Sequence, residues 1–189
     1  MEIKNNNYYR LLTPRPAVLI STRDSEGNNN AAPFSFIMPV SVEPPIISFA
    51  SAPNRHTLAN IRETGEFVIN IVPSELIEKI WICSKSFGKN VSEIEKASLR
   101  EKRSVKVAAP GVQECVAWIE CELEEEKQSG DHIVVFGRVV NTSAVEGYIR
   151  EGSYLDIVKC HPLLHVGGKD FTIPGQLITI VEKEEDAGK

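Results

Sequence analysis

Apolar residues fall in short runs along this chain, and the runs have the length of strands. Residues 17–22 (AVLIST), 46–50 (IISFA) and 67–72 (FVINIV) are nearly continuous apolar stretches bounded by polar clusters. Residues 24–28 (DSEGN) are turn chemistry, so the first strand leads through a hairpin into the stretch from 28 to 51. That stretch reads as two strands joined by a turn at Glu43-Pro44-Pro45. Its first half, Ala31-Ala32-Pro33-Phe34-Ser35-Phe36, is small, polar and interrupted by proline. Proline removes a ladder donor and marks an edge or bulge, so peptide groups here are free to bond something other than a strand. The polar edge of a flat heterocycle would suit them.

Farther on the periodicity changes. A short helix follows the strand over 46–50, with Thr57 as its expected N-cap and Gly65 as its stop. Residues 74–99 read as helical with a break near Gly88, and Ser92-Glu93-Ile94-Glu95 as a capping box opening a second short helix. From Pro110 the pattern is β again, with long strands over 112–124 and 132–142 around a turn at Ser129-Gly130-Asp131, and a short strand over 163–166. The acidic run Glu124-Glu125-Glu126 reads as a solvated hairpin tip. Residues 1–14 form an arm or short helix, and the charged tail over 182–189 is expected to fray. Many strands closed by turns, with one helical insert and no βαβ spacing, predict an antiparallel barrel in a single domain.

Composition narrows the function classes. The 189 residues are enough for one sizeable core, with 42% hydrophobic and 25% charged residues. The net charge is −5 and basic residues are scattered among acidic ones, so no nucleic-acid partner is expected. There is no signal-peptide pattern and no apolar run near the ~18 residues that span a bilayer, so the expected address is the cytoplasm, away from membrane. Cys83, Cys115, Cys121 and Cys160 make no CxxC pair. They read as buried, reduced thiols, with Cys115 and Cys121 on one face of one strand.

Candidate chemistry is sparse. No GxGxxG, P-loop, HExxH or GxSxG pattern is present. Asn54-Arg55-His56-Thr57 precedes a helix, where N–H groups and the dipole favour an anion; a capped surface helix with an exposed arginine is the alternative. His132 opens a strand and is either a group near a bound substrate or a structural histidine. On a strand His161 and His165 would share a face about 13 Å apart, too far for one metal ion. Arg15, in Pro14-Arg15-Pro16, either points into a site or lies on the surface.

Taken in order, these pieces resemble the flavin reductase-like, FMN-binding split-barrel family, in its flavoredoxin and ferric-reductase branch. The resemblance is carried by Pro14-Arg15-Pro16, by Asn30-Ala31-Ala32-Pro33-Phe34-Ser35-Phe36 and by Arg55-His56-Thr57. Thr64-Gly65-Glu66-Phe67, Gly130-Asp131-His132, Gly137-Arg138-Val139 and Gly167-Gly168 complete it. It implies one domain over 1–181: a mainly β, six-stranded antiparallel Greek-key split barrel with a few short helices, working as a homodimer. It further implies FMN held by Ala32, Pro33, Phe34, Ser35 and Phe36 at the ring and ribityl. Arg55 and Thr57 would hold the phosphate, with additional contacts from Ser51 and Ser84. Arg55 stands where the family often has lysine, which keeps the charge and changes the geometry.

The implied activity is hydride transfer from NAD(P)H to FMN and electron transfer onward to free flavin, a ferric chelate or a protein. His132 would position substrate or tune the flavin. The alternative is an FMN-binding electron carrier reduced by a partner protein. The chain itself names neither the acceptor nor the choice between NADH and NADPH.

Overall fold

The computed structural model describes residues 2–88 and 91–180. The tail expected over 182–189 lies outside the described residues. Seven antiparallel strands form the main sheet: β1 (Val18–Arg23), β2 (Asn29–Phe34), β3 (Ile37–Ser41), β4 (Ile46–Ser51), β5 (Glu66–Ile71), β6 (Ala117–Ser129) and β7 (His132–Ala144). Their order is β2-β1-β5-β6-β7-β4-β3. The two end strands are consecutive in sequence and separated only by Ser35 and Phe36. With only two residues joining the end strands, the sheet curls until its two edges come together at that break, where the Ala50 N–H donating to the Phe36 carbonyl at 2.8 Å continues the β3–β4 ladder.

Continuous apolar runs form strands here because both faces of the sheet are covered. Along β1, Val18 and Ile20 join one buried cluster with Phe49, Phe67, Cys121 and Val135, while Leu19 joins another with Val68, Ile80, Ile94 and Trp118. Helix α1 (His56–Thr64) sends Leu58 and Ile61 into the first cluster. Helices α2 (Ile77–Cys83) and α3 (Glu93–Lys96) send Ile80, Cys83 and Ile94 into the second. Gly65 ends α1 as expected: its φ is +74° and its N–H donates to the Ile61 carbonyl at 2.8 Å. Ser92 caps α3 by accepting from the Glu95 N–H.

Several local expectations change. The N-cap of α1 is Arg55, not Thr57; the helix starts two residues earlier because Arg55 is the last extended residue, and the Thr57 hydroxyl is spent elsewhere. The strand expected over 112–124 begins at Ala117, because the Cys115 N–H donates to the Val112 carbonyl and turns the chain first. Cys115 and Cys121 therefore enter different clusters rather than one face, although all four thiols are free and buried as expected. The acidic run is not a tip: Glu126 pairs with Val135 inside the β6–β7 hairpin, whose loop is Gly130-Asp131. Glu124 and Glu126 bind Arg138 and Arg62 across that strand face. His161 is not on a strand; it caps helix α4 (Ile157–Cys160) with φ +41°.

Two further strands matter for the site, β8 (Leu164–Gly167) and β9 (Asp170–Thr172), a hairpin that pairs with Arg15-Pro16. Arg15 anchors the N-terminal arm, a 3-10 helix over Asn5–Arg10. Its Nη1 donates to the Tyr9 and Leu12 carbonyls at 2.6 Å each, and its guanidinium lies 5.4 Å over the Phe36 ring.

Candidate functional site

The edge where the sheet breaks is also where it opens. β2 is paired with β1 on one side only, so alternate peptide groups of residues 32–34 point away from the ladder. A cavity of about 310 Å³ runs along that edge. Ala32, Pro33, Phe34, Ser35 and Phe36 form one wall. Arg55 and Thr57 line it from the start of α1, Ser84 from the end of α2, and His132 from the start of β7. Residues separated by up to a hundred positions thus converge, through strand pairing alone, on one space.

Nine of the ten residues singled out from the sequence line this cavity; Ser51 does not. Its neighbours Ala50 and Ala52 do, and strand alternation turns Ser51 to the opposite side. There it is buried and donates to the Ala52 carbonyl at 3.0 Å. The structure adds lining residues to which the sequence assigned no contact of their own: Asn30, Asn54, His56, Cys83 and Glu93, with residues 85–87. Glu93 carried a signal only as a capping residue, and Asn30 only as part of the run before Ala31.

These additions decide the electrostatics of the floor. The Thr57 hydroxyl donates to Asn30 Oδ1 at 3.0 Å, and Asn30 Nδ2 donates to Glu93 Oε2 at 2.9 Å. All three side chains are buried. Burial raises the Glu93 carboxyl above its ordinary value, against the lowering effect of its own and the Ala31 N–H, of His56 and of Asn30. With the Thr57 proton committed to Asn30, the donors at this end include the backbone N–H groups opening α1 and the exposed Arg55 guanidinium. Cys83 also lines the cavity, yet burial pushes its thiol up to about 12, so it is no nucleophile at neutral pH.

Also lining the cavity, His132 has its Nδ1 2.7 Å from Asp131 Oδ1, whose carboxyl this contact holds below its ordinary value. The proton on Nδ1 is directed to Asp131, which leaves Nε2 as the nitrogen that can address a ligand. The Phe36 ring lies 5.8 Å from the His132 ring and 5.4 Å from the Arg15 guanidinium. Among the described residues no cluster of three or more His, Cys, Asp or Glu side chains is arranged to hold a metal ion, and no helix is long and apolar enough to cross a membrane.

Known proteins place this architecture. The flavin reductase like domain matches residues 9–174. An uncharacterized protein of Methanothermobacter thermautotrophicus is 39% identical over 160 residues, 82% of this chain and 76% of that one. Nitrilotriacetate monooxygenase component B from Bacillus cereus superposes with a TM-score of 0.83 at 29% identity, over 95% of both chains. Pseudomonas fluorescens 2-nitrobenzoate 2-nitroreductase NbaA gives 0.84 at 27% identity, over 98% of this chain and 96% of that one. Flavoredoxin of Desulfovibrio vulgaris shares the fold, with a TM-score of 0.82 at 22% identity over 94% of both. With a family model matched across nearly the whole fold, and its cavity on the split edge of the barrel, this chain belongs to the flavin reductase like domain family, a family of flavin-linked oxidoreductases.

Proposed function

We propose that the chain is an FMN-binding oxidoreductase that draws electrons from NAD(P)H and passes them to free flavin or a ferric chelate. The observation that carries this reading is the single cavity joining an unpaired strand edge to a helix start. Its volume of about 310 Å³ falls in the range of small-molecule sites. Its two ends differ as FMN's do. Peptide groups of β2 offer donors and acceptors to a polar ring edge, while the α1 N–H groups and Arg55 offer positive potential to a phosphate. The donor set therefore fits FMN.

Bound FMN would supply a ring that accepts hydride from a nicotinamide and gives electrons onward. The chain's own work is binding and orientation. Arg55 would fork onto phosphate oxygens. Thr57 acts through its backbone N–H, because its hydroxyl is fixed by Asn30. Phe34 and Phe36 supply apolar cover beside Pro33. His132, oriented by Asp131, would position the electron donor with Nε2. We further infer a homodimer. Met38 and Val40 of the end strand β3, and Val42 just beyond it, are all exposed at 45% or more, apolar surface at a sheet edge suited to a second copy.

The test is anaerobic. FMN-loaded protein is mixed with NADH or NADPH, and the flavin absorbance is followed. Bleaching is the expected result. Persistent colour with both donors, followed by bleaching with a reduced partner protein, would replace the enzyme with an electron carrier. Arg55→Ala should weaken FMN binding about tenfold, the lower end for a charged hydrogen bond because the side chain is exposed. Light scattering in solution checks the mass of a dimer.

A further inference from the structure

A second, smaller cavity adjoins the first. Its volume is about 150 Å³, and the two share Pro33, Phe34, Ser35 and Ser84 as a common wall. A cavity of that size accommodates one benzene ring. The remaining walls are apolar and largely aromatic: Trp81 and Ile80 from α2, Phe171 from β9 and Ala17. His165 of β8 completes the lining, with its ring 5.1 Å from that of Phe171.

The polar groups in this space have a defined sense. His165 Nε2 faces the Gly168 carbonyl at 3.4 Å, and a carbonyl can only accept, so Nε2 carries the proton. Burial, with the positive charge of Arg15, holds the His165 pKa down and keeps the ring neutral. Nδ1 is then a bare acceptor, and the Ser35 hydroxyl 2.8 Å away must donate to it. The Ser84 hydroxyl likewise donates to the Trp81 carbonyl at 2.8 Å. Both serine protons are therefore committed within the protein. What the two hydroxyls offer a ligand is lone pairs.

We propose that this second cavity binds a single aromatic ring bearing a hydrogen-bond donor, a phenol-class molecule, with Ser35 and Ser84 as acceptors and Trp81 and Phe171 as ring walls. An ether or a carboxylate on the same ring would bring another acceptor against these lone pairs. The shared wall sets the bound ring directly beside the larger cavity. Its meaning in turnover rests on the flavin reading, but its occupancy does not.

The experiment titrates the protein with phenol, anisole and benzoate, following tryptophan fluorescence and ligand-observed NMR saturation transfer. FMN uptake is measured separately on the same preparations. Phenol should bind, and anisole, which keeps the ring and loses the donor, should bind about fivefold or more weakly. Trp81→Ala should abolish phenol saturation transfer; Trp81 is 41% exposed, so its truncation leaves most of the core untouched. Equal affinity for phenol and anisole, tighter binding of benzoate, or unchanged phenol binding in Trp81→Ala would overturn the proposal. If the variant does not fold, the phenol–anisole comparison on the unaltered chain still decides it. FMN uptake without phenol binding refutes this inference alone, and phenol binding without FMN uptake refutes the flavin reading alone.

Discussion

Replacing Asn30 by Ala removes the link that ties β2 to both α1 and α3. Asn30 is buried and uses both ends of its amide, accepting from Thr57 and donating to Glu93. The bond to a carboxylate is worth about 1.5–3 kcal/mol and the neutral one about 1 kcal/mol. Water entering the vacated volume recovers part of this, which gives about 3 kcal/mol of lost stability at pH 7. With a urea slope of about 2–3 kcal/mol/M, the midpoint should fall by roughly 1–1.5 M. The loss should depend on pH. Glu93 has a raised pKa, so its contribution to stability is full below its ordinary value of 4.5 and is lost as pH rises through the folded value. Without Asn30 the charged form loses a donor and that pKa rises further, so the penalty should be larger at pH 7 than at pH 4. Urea melts of both proteins at the two pH values measure it. A loss below about 1 kcal/mol, or one that grows toward acid, would refute the assignment of Asn30 as the bridge.

Three further outcomes test the framework around the site. At Gly137 an added Cβ would lie 2.8 Å from Phe67 Cε1 and 3.1 Å from Cys121 Cβ, closer still to Phe67 Cζ. Gly137→Ala should therefore cost about 2 kcal/mol and lower the thermal midpoint by roughly 6 °C in calorimetry, and an unchanged midpoint would contradict the packing. Burial raises the Glu120 carboxyl, but N–H donation from Val105 and Lys106 with help from Asn141 outweighs it and leaves the pKa lowered. Its stabilisation is present above 4.5 and lost as pH falls through the folded value. Glu120→Gln should accordingly cost about 2 kcal/mol at neutral pH and progressively less as pH falls below 4.5, read from denaturant melts. All four cysteines have thiol pKa values pushed up by burial, Cys83 and Cys121 to about 12. A chromogenic disulfide reagent at pH 8 should find no reactive thiol in the folded protein and four after unfolding; rapid native labelling would show that one of these sites opens.

The run Ala31 to Phe36 illustrates what could be read without a structure. Its proline and small residues mark a strand that cannot be paired on both sides, because backbone chemistry is local and proline removes a donor wherever the chain goes. The helix stop at Gly65 and the Ser92 cap were legible for the same reason: each depends on residues within one turn. Where the outcome depended on distant partners, local pattern misled. The start of β6 and the separation of Cys115 from Cys121 were set by a turn packed against the second core cluster.

Sequence by itself determined that this chain is a mainly β domain with an exposed polar edge and an anion-favouring helix start, since those features arise from periodicity and local hydrogen bonding. Only the tertiary structure decided that edge and helix face one cavity. It also turned Ser51 away, placed Asn30 and Glu93 in that cavity beside the start of α1, and bonded His165 to Ser35 across 130 residues. These are consequences of which strands pair and in what register. A shift of one residue in that pairing would send every side chain to the opposite face.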